Sequence, residues 1–185
     1  MSIKFENILN GSDDLKELVR TWRNTKQVSQ YMITNHFITV EEHQRWLEKL
    51  KTNSSSKAWI IIYNNTPVGL VSLTKIDREK KTAEWGFYIA EESARGKGIG
   101  STTLYKLMEY VFDTLRFEKL STLVLQNNDI AMKMYEQFGF TKDNTEKQHL
   151  QRNGAIIDVI SMSISQKKWK KVQGALEHHQ ASNLM

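Results

Sequence analysis

Residues 94–101, Ala94-Arg95-Gly96-Lys97-Gly98-Ile99-Gly100-Ser101, are the stretch that decides the fold of this chain. They follow an apolar run, AEWGFYIA, and they precede a run with helical spacing, TTLYKLMEYVFDTL. Glycine lets the backbone approach a ligand closely, and the first N–H groups of a helix have no partner within the helix. A strand, a glycine-rich turn and a helix start therefore predict an anion-binding site here.

Two common phosphate-binding loops do not match this stretch. A P-loop has Lys and then Ser or Thr directly after its last glycine, whereas Ser101 follows Gly100 without a lysine. A dinucleotide fingerprint requires a third glycine further on, within a repeated alternation of strands and helices, and the sequence has neither. The pattern that remains is Arg-x-x-Gly-x-Gly, at Arg95, Gly98 and Gly100.

A second motif lies one predicted strand further along the chain. It reads N-x-x-A-x-x-x-Y-E-x-x-G-F and consists of Asn128, Ala131, Tyr135, Glu136, Gly139 and Phe140. Either motif alone is a moderate signal, but the two together, with one strand between them, are a strong one. On this pair the chain resembles the GNAT acetyltransferases, the GCN5-related N-acetyltransferase superfamily.

The predicted order of elements agrees with this resemblance over nearly the whole chain: strand, two helices, three strands, helix, strand, helix and two strands. The resemblance implies an α/β GNAT fold. Its central sheet is mixed and mostly antiparallel, with about seven strands, and it is splayed between the fourth and fifth strands and flanked by about four helices. Residues 1–165 are expected to form a single domain, and residues 166–185 a basic C-terminal extension with a solvated helix end.

Composition and charge limit the other function classes. The longest apolar run, Ala58 to Tyr63, is too short to span a bilayer, and the N-terminus lacks a signal-peptide pattern, so a cytoplasmic protein without a membrane partner is expected. The chain has no cysteine and five scattered histidines, which disfavours a metal site. Residues 166–185 supply +3 of the net charge of +5, so nucleic acid is not an expected partner.

The resemblance implies acetyl-CoA as co-substrate. The pantetheine arm would bind between the splayed strands like an added strand, and the pyrophosphate would bind the glycine-rich loop. The cofactor-binding residues implied are Ile89, Arg95, Gly96, Lys97, Gly98, Ile99, Gly100, Ser101 and Asn128. For Asn128, capping of a helix N-terminus explains the residue almost equally well.

Two residues are the predicted catalytic groups. Tyr135 is the candidate general acid, because a phenol can donate a proton or a hydrogen bond to a departing thiolate. The alternative is that Tyr135 is a core aromatic. Glu84 is the candidate base, because a glutamate in a central strand is costly unless it faces a cavity. The alternative is a salt-bridged structural carboxylate. Some members carry a carboxylate on the fifth strand, where this chain has Leu123.

The N-terminal half carries the signal for the acetyl acceptor. The segment WRN and the run QYMITNHFITVEEHQRWLEKL resemble the nucleotide-sugar branch of the superfamily. The nearest resemblance is to the UDP-4-amino-4,6-dideoxy-N-acetyl-altrosamine N-acetyltransferases of pseudaminic acid biosynthesis, the PseH type. It implies a sugar-nucleotide site lined by Arg23, His43, Thr74, Lys75 and Tyr88, in which Arg23 and Lys75 would bind the diphosphate.

The leading prediction is therefore acetyl transfer from acetyl-CoA to the amine of a UDP-4-amino sugar. Protein N-terminal acetyltransferases of the ribosomal type also carry segments like WRN, and they are the alternative among enzymes. A non-catalytic GNAT domain that binds acyl-CoA or nucleic acid is the alternative outside enzymes, although Tyr135, Glu84 and the intact loop argue against it. The family resemblance also allows a homodimer.

Overall fold

The computed structural model describes residues 2–143, 148–152 and 154–182, which form one mixed sheet with helices on both faces. The strands are β1 (Ile3–Asn7), β2 (Lys57–Tyr63), β3 (Thr66–Asp77), β4 (Thr82–Ile89), β5 (Lys119–Leu125), β6 (Thr141–Lys142), β7 (Gln148–Arg152) and β8 (Ala155–Ser165). The helices are α1 (Asp13–Asn24), α2 (Lys26–Ser29), α3 (Val40–Thr52), α4 (Ile99–Glu109), α5 (Asp129–Gln137) and α6 (Gln166–Ser182). A π-helical turn, Tyr110–Thr114, continues α4.

The strand order is β1-β2-β3-β4-β5-β8-β6, and β7 pairs with β8 outside this path. Neighbouring strands are antiparallel except for β4 and β5, which are parallel. This confirms the predicted mixed GNAT sheet. The described residues hold eight strands and six helices rather than about seven and four. The additional elements are the hairpin strand β7, the one-turn helix α2 and the C-terminal helix α6.

The sheet splays between β4 and β5, as predicted. The two strands pair only at Thr82↔Lys119, Ala83↔Leu120 and Glu84↔Ser121. Beyond this point β4 stays paired with β3 as far as Ile89, and β5 stays paired with β8 as far as Leu125. The edges of residues 85–89 and 122–125 that face each other therefore form no ladder with each other, and the gap between them is here called the cleft. Backbone groups along these edges are available to an extended ligand.

The helices divide between the two faces of the sheet. The first three helices pack on one face, where Val19, Trp22 and Val28 form a core with strand residues such as Ile60 and Tyr88. This is the α1–α3 face. Helices α4, α5 and α6 pack on the other face in a larger core. Two of these helices begin with side-chain caps: Ser12 caps α1, and a capping box formed by Thr39 and Glu42 starts α3.

Helix α6 is anchored in that larger core. Trp169 is completely buried, 5.4 Å from the ring of Tyr105 and 6.2 Å from that of Phe112, and its indole N–H donates to Asp113 at 3.3 Å. Beside it, the side-chain amide of Gln166 donates to the carbonyl of Phe112 at 3.0 Å. The start of α6 therefore belongs to the core rather than to a solvated end. Burial of the large indole stabilises the packing of α6 on the sheet. The domain division at residue 165 stays a prediction.

Candidate active site

The glycine-rich loop forms the start of α4 at the end of the cleft. Gly98 is the N-cap residue and has φ 71° and ψ 4°, a left-handed conformation that favours glycine. The first helical hydrogen bond runs from the N–H of Thr102 to the carbonyl of Gly98 at 3.0 Å. The N–H groups of residues 99–101 therefore lie outside the helical ladder, which is the arrangement that binds phosphate at helix N-termini.

The first turn of α4 lies directly on β4. A Cβ atom added to Gly100 would lie 3.3 Å from a ring carbon of Phe87, and Ile99 is buried in the core beside it. This close approach favours a residue without a side chain at position 100. It fixes the anion-binding N–H groups at the mouth of the cleft.

Arg95 links the same loop to the end of β4. Its guanidinium donates to the carbonyl of Ile89 at 3.2 and 3.3 Å and to that of Ala90 at 3.4 Å. Arg95 and Lys97 are both exposed, so their charges are available to an anion on the loop.

At the end of β5, the side chain of Asn128 accepts the N–H of Ala131 at 3.3 Å. The capping role weighed for Asn128 is therefore present, and its contact with a cofactor stays a prediction.

Tyr135 lies at the point where β4 and β5 separate. Its ring packs edge-on against Trp85 at 5.3 Å, and its phenol hydrogen-bonds with Thr122, whose hydroxyl donates across the cleft to the carbonyl of Trp85 at 3.0 Å. Burial raises the pKa of Tyr135 above the ordinary value for a phenol, against the smaller effect of Thr122. The group is therefore a protonated donor at neutral pH. The structure places it in the core and at the cleft together, so the two interpretations of Tyr135 are compatible.

Glu84 and Tyr88 point to the α1–α3 face, because side chains alternate along β4 and Tyr88 packs there. Glu84 lies opposite Thr74 on β3. The irregular pairing after Thr74 gives Lys75 a φ of 48° and brings its ammonium to 2.8 Å from the Glu84 carboxylate. Three predicted site residues thus meet. This ion pair is the arrangement expected from the alternative for Glu84, a salt-bridged structural carboxylate. Because Lys75 is largely exposed, the ion pair contributes little to stability.

Arg23 reaches the same face from the C-terminal end of α1. One of its terminal nitrogens, Nη2, donates to the carbonyl and the hydroxyl of Thr34, and the other, Nη1, is buried without a partner among the described residues. Burial lowers the pKa of Arg23. The phenol of Tyr88 donates to the carbonyl of Val19 at 3.4 Å. Arg23, Tyr88, Thr74, Lys75 and Glu84 therefore all lie on the α1–α3 face.

Arg152 is a residue of this site that the sequence did not single out. It lies at the end of β7, and its guanidinium donates to the carbonyls of Gln30, Met32 and Ile33. Residues 30–34, here called the 30–34 loop, thus contact both Arg23 and Arg152. The charge of Arg152 also lowers the pKa of Arg23, after the larger effect of burial.

His43 lies apart from the other predicted acceptor residues. It is buried between α1 and α3, with its ring 5.3 Å from that of Trp46 and a hydrogen bond to the main chain of Lys16. Burial lowers its pKa, so the imidazole is neutral near pH 7. Its Nε2 atom is buried, and the described residues offer it no hydrogen-bond partner. A direct role for His43 in the sugar site stays a prediction.

Fold and cleft define an acyl-CoA-dependent transferase of the GNAT class, and a comparison with protein families agrees: the acetyltransferase (GNAT) domain matches residues 9–141. The chain belongs to this family. It is 30% identical to acetyltransferase PseH of Campylobacter jejuni (strain 81-176) over 145 residues, 78% of this chain and 88% of that protein.

The solved structures similar to this chain include two that contain CoA or acetyl-CoA. The crystal structure of Campylobacter jejuni PseH in complex with acetyl coenzyme A has a TM-score of 0.67 and 25% identity, covering 89% of this chain and 99% of that one. Spermidine N-acetyltransferase from Vibrio cholerae, in complex with CoA and spermine, has a TM-score of 0.81 and 21% identity, covering 90% and 97%. The second likeness concerns the fold alone.

These findings confirm the resemblance to the GNAT superfamily and its PseH type. The chain is an acetyl-CoA-dependent N-acetyltransferase, which removes the non-catalytic alternative. Within the described part of the chain, His, Asp and Glu side chains do not gather in a group of three that could hold a metal ion. The helices described there are too short or too polar to cross a membrane.

Acetyl-CoA should raise the melting temperature of the wild-type protein, and Gly98→Glu should abolish that shift. A ligand at a hundred times its Kd stabilises a protein by about 2.7 kcal/mol. The glutamate would be strained at φ 71° and would place a negative charge where the pyrophosphate binds. Thermal melts with and without acetyl-CoA measure the effect.

Gly154→Glu is the matched control for this variant. Gly154 also has a positive φ, 80°, but it lies in the β7–β8 hairpin. The control should lose stability for the same backbone reason and keep the acetyl-CoA shift. A normal shift in Gly98→Glu would place the cofactor away from this loop.

Proposed function

We propose that this enzyme transfers the acetyl group of acetyl-CoA directly to the 4-amino group of a UDP-linked amino-dideoxy sugar of the pseudaminic acid type. The observation that carries the proposal is the charge on the α1–α3 face. Arg23, Lys75 and Arg152 bring three cationic groups to it, and in the described residues the two guanidiniums contact carbonyls and a hydroxyl rather than carboxylates. A diphosphate would supply the missing negative charge.

The same charges argue against a polyamine acceptor. Spermidine and spermine carry several positive charges, and a site that binds them needs carboxylates. Glu84 is a carboxylate on this face, and Lys75 already pairs with it at 2.8 Å. Like charges in a partly buried site repel each other by several kcal/mol. The 30% identity to PseH supports the nucleotide-sugar proposal independently.

The chemistry can be assigned to groups at the cleft. The acceptor nitrogen attacks the thioester carbonyl, a C–N bond forms, and the C–S bond then breaks to release CoA as a thiolate. Glu84 takes the proton of the amine, directly or through a water, and Tyr135 gives its proton to the thiolate. Glu84, on β4, and Tyr135, on α5, lie on opposite faces of the splayed sheet. This arrangement suits an amine and a thioester that arrive from opposite sides. Proximity could supply several kcal/mol of the barrier.

Lys75 connects binding to chemistry in this proposal. When the diphosphate of the acceptor binds, the exposed ammonium of Lys75 is drawn toward it and away from Glu84. The carboxylate is then free to accept a proton from the amine. The proposal keeps the expected cytoplasmic location, where acetyl-CoA is a soluble co-substrate, and it is compatible with a homodimer.

Arg23→Ala should raise the Michaelis constant for the UDP-sugar about ten- to a hundredfold, because a hydrogen bond to a charged group contributes about 1.5–3 kcal/mol. Turnover at saturation should change little, because a diphosphate far from the thioester contributes uniform binding. Steady-state kinetics with a UDP-4-amino-4,6-dideoxy sugar measure both constants.

Arg20→Ala is the control on the same helix. Arg20 also donates to a loop carbonyl, that of Ile38 at 3.0 Å, but its charge is paired with Glu17. This variant should leave the Michaelis constant nearly unchanged. A loss in Arg23→Ala that is confined to turnover would remove the basis for a diphosphate contact.

A further inference from the structure

Arg152 and Arg23 approach the 30–34 loop from opposite halves of the splayed sheet. Arg23 lies at the end of α1, on the β1–β4 side of the cleft. On the other side, β8 pairs with β5 only as far as Leu125↔Val159 and then continues with β7 as a hairpin to Arg152↔Ala155. The contacts of Arg152 with the loop therefore join the two halves on the α1–α3 face.

Both guanidiniums keep donors for another acceptor. An arginine has five N–H groups. Three on Arg152 are used by the carbonyls of Gln30, Met32 and Ile33, so two keep no acceptor among the described residues. On Arg23 the Nη2 atom donates to Thr34, while the Nη1 atom is buried and has no hydrogen-bond partner in the part of the chain that the structure describes. A buried donor without a partner costs about 1–3 kcal/mol, so it marks a position where a ligand atom would be favoured.

We propose that Arg152 and Arg23 together form a binding site for the phosphate groups of the acceptor, in which Arg152 is a specificity-determining residue. The inference rests on the proposed function and adds a second guanidinium to its diphosphate site. Arginine matches phosphate because its planar fork donates two parallel hydrogen bonds. Two like charges held near one loop repel each other, and a bound dianion would remove that repulsion.

A purely structural role for Arg152 explains only part of this arrangement. Three hydrogen bonds to carbonyls tie the hairpin to the 30–34 loop, and a latch requires no more than that. It does not account for a second guanidinium, half-buried and without a carboxylate among the described residues, at the neighbouring position of the same loop. An anion between them accounts for both.

Binding of UDP, uridine and inorganic pyrophosphate to the full chain tests the proposal, with CoA present at saturation so that the glycine-rich loop is filled. We expect Arg152→Ala to weaken UDP and pyrophosphate binding about ten- to a hundredfold and to change uridine binding less than about threefold. The affinity of Arg152→Lys for UDP and pyrophosphate should lie between that of the wild type and that of Arg152→Ala, since lysine keeps the charge without the planar guanidinium fork. Arg78→Ala, which removes an exposed arginine in the turn between β3 and β4, should match the wild type.

Three outcomes would overturn the proposal: unchanged UDP and pyrophosphate binding in Arg152→Ala, an equal loss for UDP and uridine, which would make Arg152 a latch only, or a wild-type protein that binds neither phosphate compound. The proposed function can fail separately. Pyrophosphate binding that depends on Arg152, in an enzyme that does not acetylate UDP-amino sugars, would keep the anion site and assign it to another anionic acceptor. Normal acetylation of a UDP-amino sugar by Arg152→Ala, with an unchanged Michaelis constant, would instead keep the proposed function and overturn the role of Arg152.

Discussion

Replacement of Tyr135 by phenylalanine is expected to lower turnover by about one to three orders of magnitude, the scale of losing a general acid. The substitution keeps the ring that packs against Trp85 and Phe140, so the core should hold its shape. It removes the protonated hydroxyl at the point where β4 and β5 separate. Affinity for acetyl-CoA should change little, because the loop at the start of α4 is untouched.

Tyr110→Phe is the control for this experiment. This substitution also removes a hydroxyl that has a hydrogen-bond partner, the ammonium of Lys57 at 3.1 Å. Tyr110, however, lies in the π-helical turn after α4. Rapid-quench or steady-state turnover should separate the two variants clearly. If Tyr135→Phe turned over as fast as the wild type, Tyr135 would be a core aromatic without an acid role.

Trp169→Ala should reduce the free energy of unfolding by about 3–5 kcal/mol, the range for removing a buried tryptophan or phenylalanine. The indole of Trp169 packs against the rings of Tyr105 and Phe112, so its removal leaves a cavity between them. Urea denaturation measures the loss. By the same reasoning, removal of all residues after 165 would open the core on the α4–α6 face.

Lys171→Ala provides the comparison on the same helix. Its side chain is exposed, so the change should stay within about 0.5 kcal/mol. If Trp169→Ala were equally mild, α6 would be a solvated extension, as the lysine-rich sequence around it suggests. In both variants, activity should fall only as far as the folded fraction falls, because the contacts described above for α6 are with the core and not with residues of the cleft.

The fold was predictable because its two motifs are local. Arg95 to Ser101 combines a strand end, a left-handed turn at Gly98 and a helix start within eight residues, and each part has its own pattern. The splay of β4 and β5 followed from the resemblance that these motifs carry. Before the last strand the sequence predicts one strand where the structure has two, β6 and β7, and the anchoring of helix α6 was missed. Trp169, Val172 and Leu176 are spaced as a helical stripe and could have signalled the packing of α6.

The site was predictable only in part, because long-range contacts leave no local pattern. Arg152 lies more than a hundred residues from the 30–34 loop, and an isolated arginine before a hairpin turn has no distinguishing neighbour. The pairing of Lys75 with Glu84 depends on an irregularity in β3 that a period of two does not show. His43 has a helical environment that places it equally well in the core or in a site.

The most direct test of the account is a comparison of kcat/KM for three acceptors under the same acetyl-CoA concentration: a UDP-4-amino-4,6-dideoxy sugar, spermidine and an N-terminal peptide of a ribosomal protein. The account predicts that the UDP-sugar is preferred by about two orders of magnitude or more, as expected when a site with several hydrogen-bonding charges meets substrates that cannot pair with them. It also predicts that mass spectrometry finds one added acetyl group on the sugar nucleotide. Preference for spermidine or for the peptide would contradict the account, because the cationic α1–α3 face would then have no part in acceptor recognition.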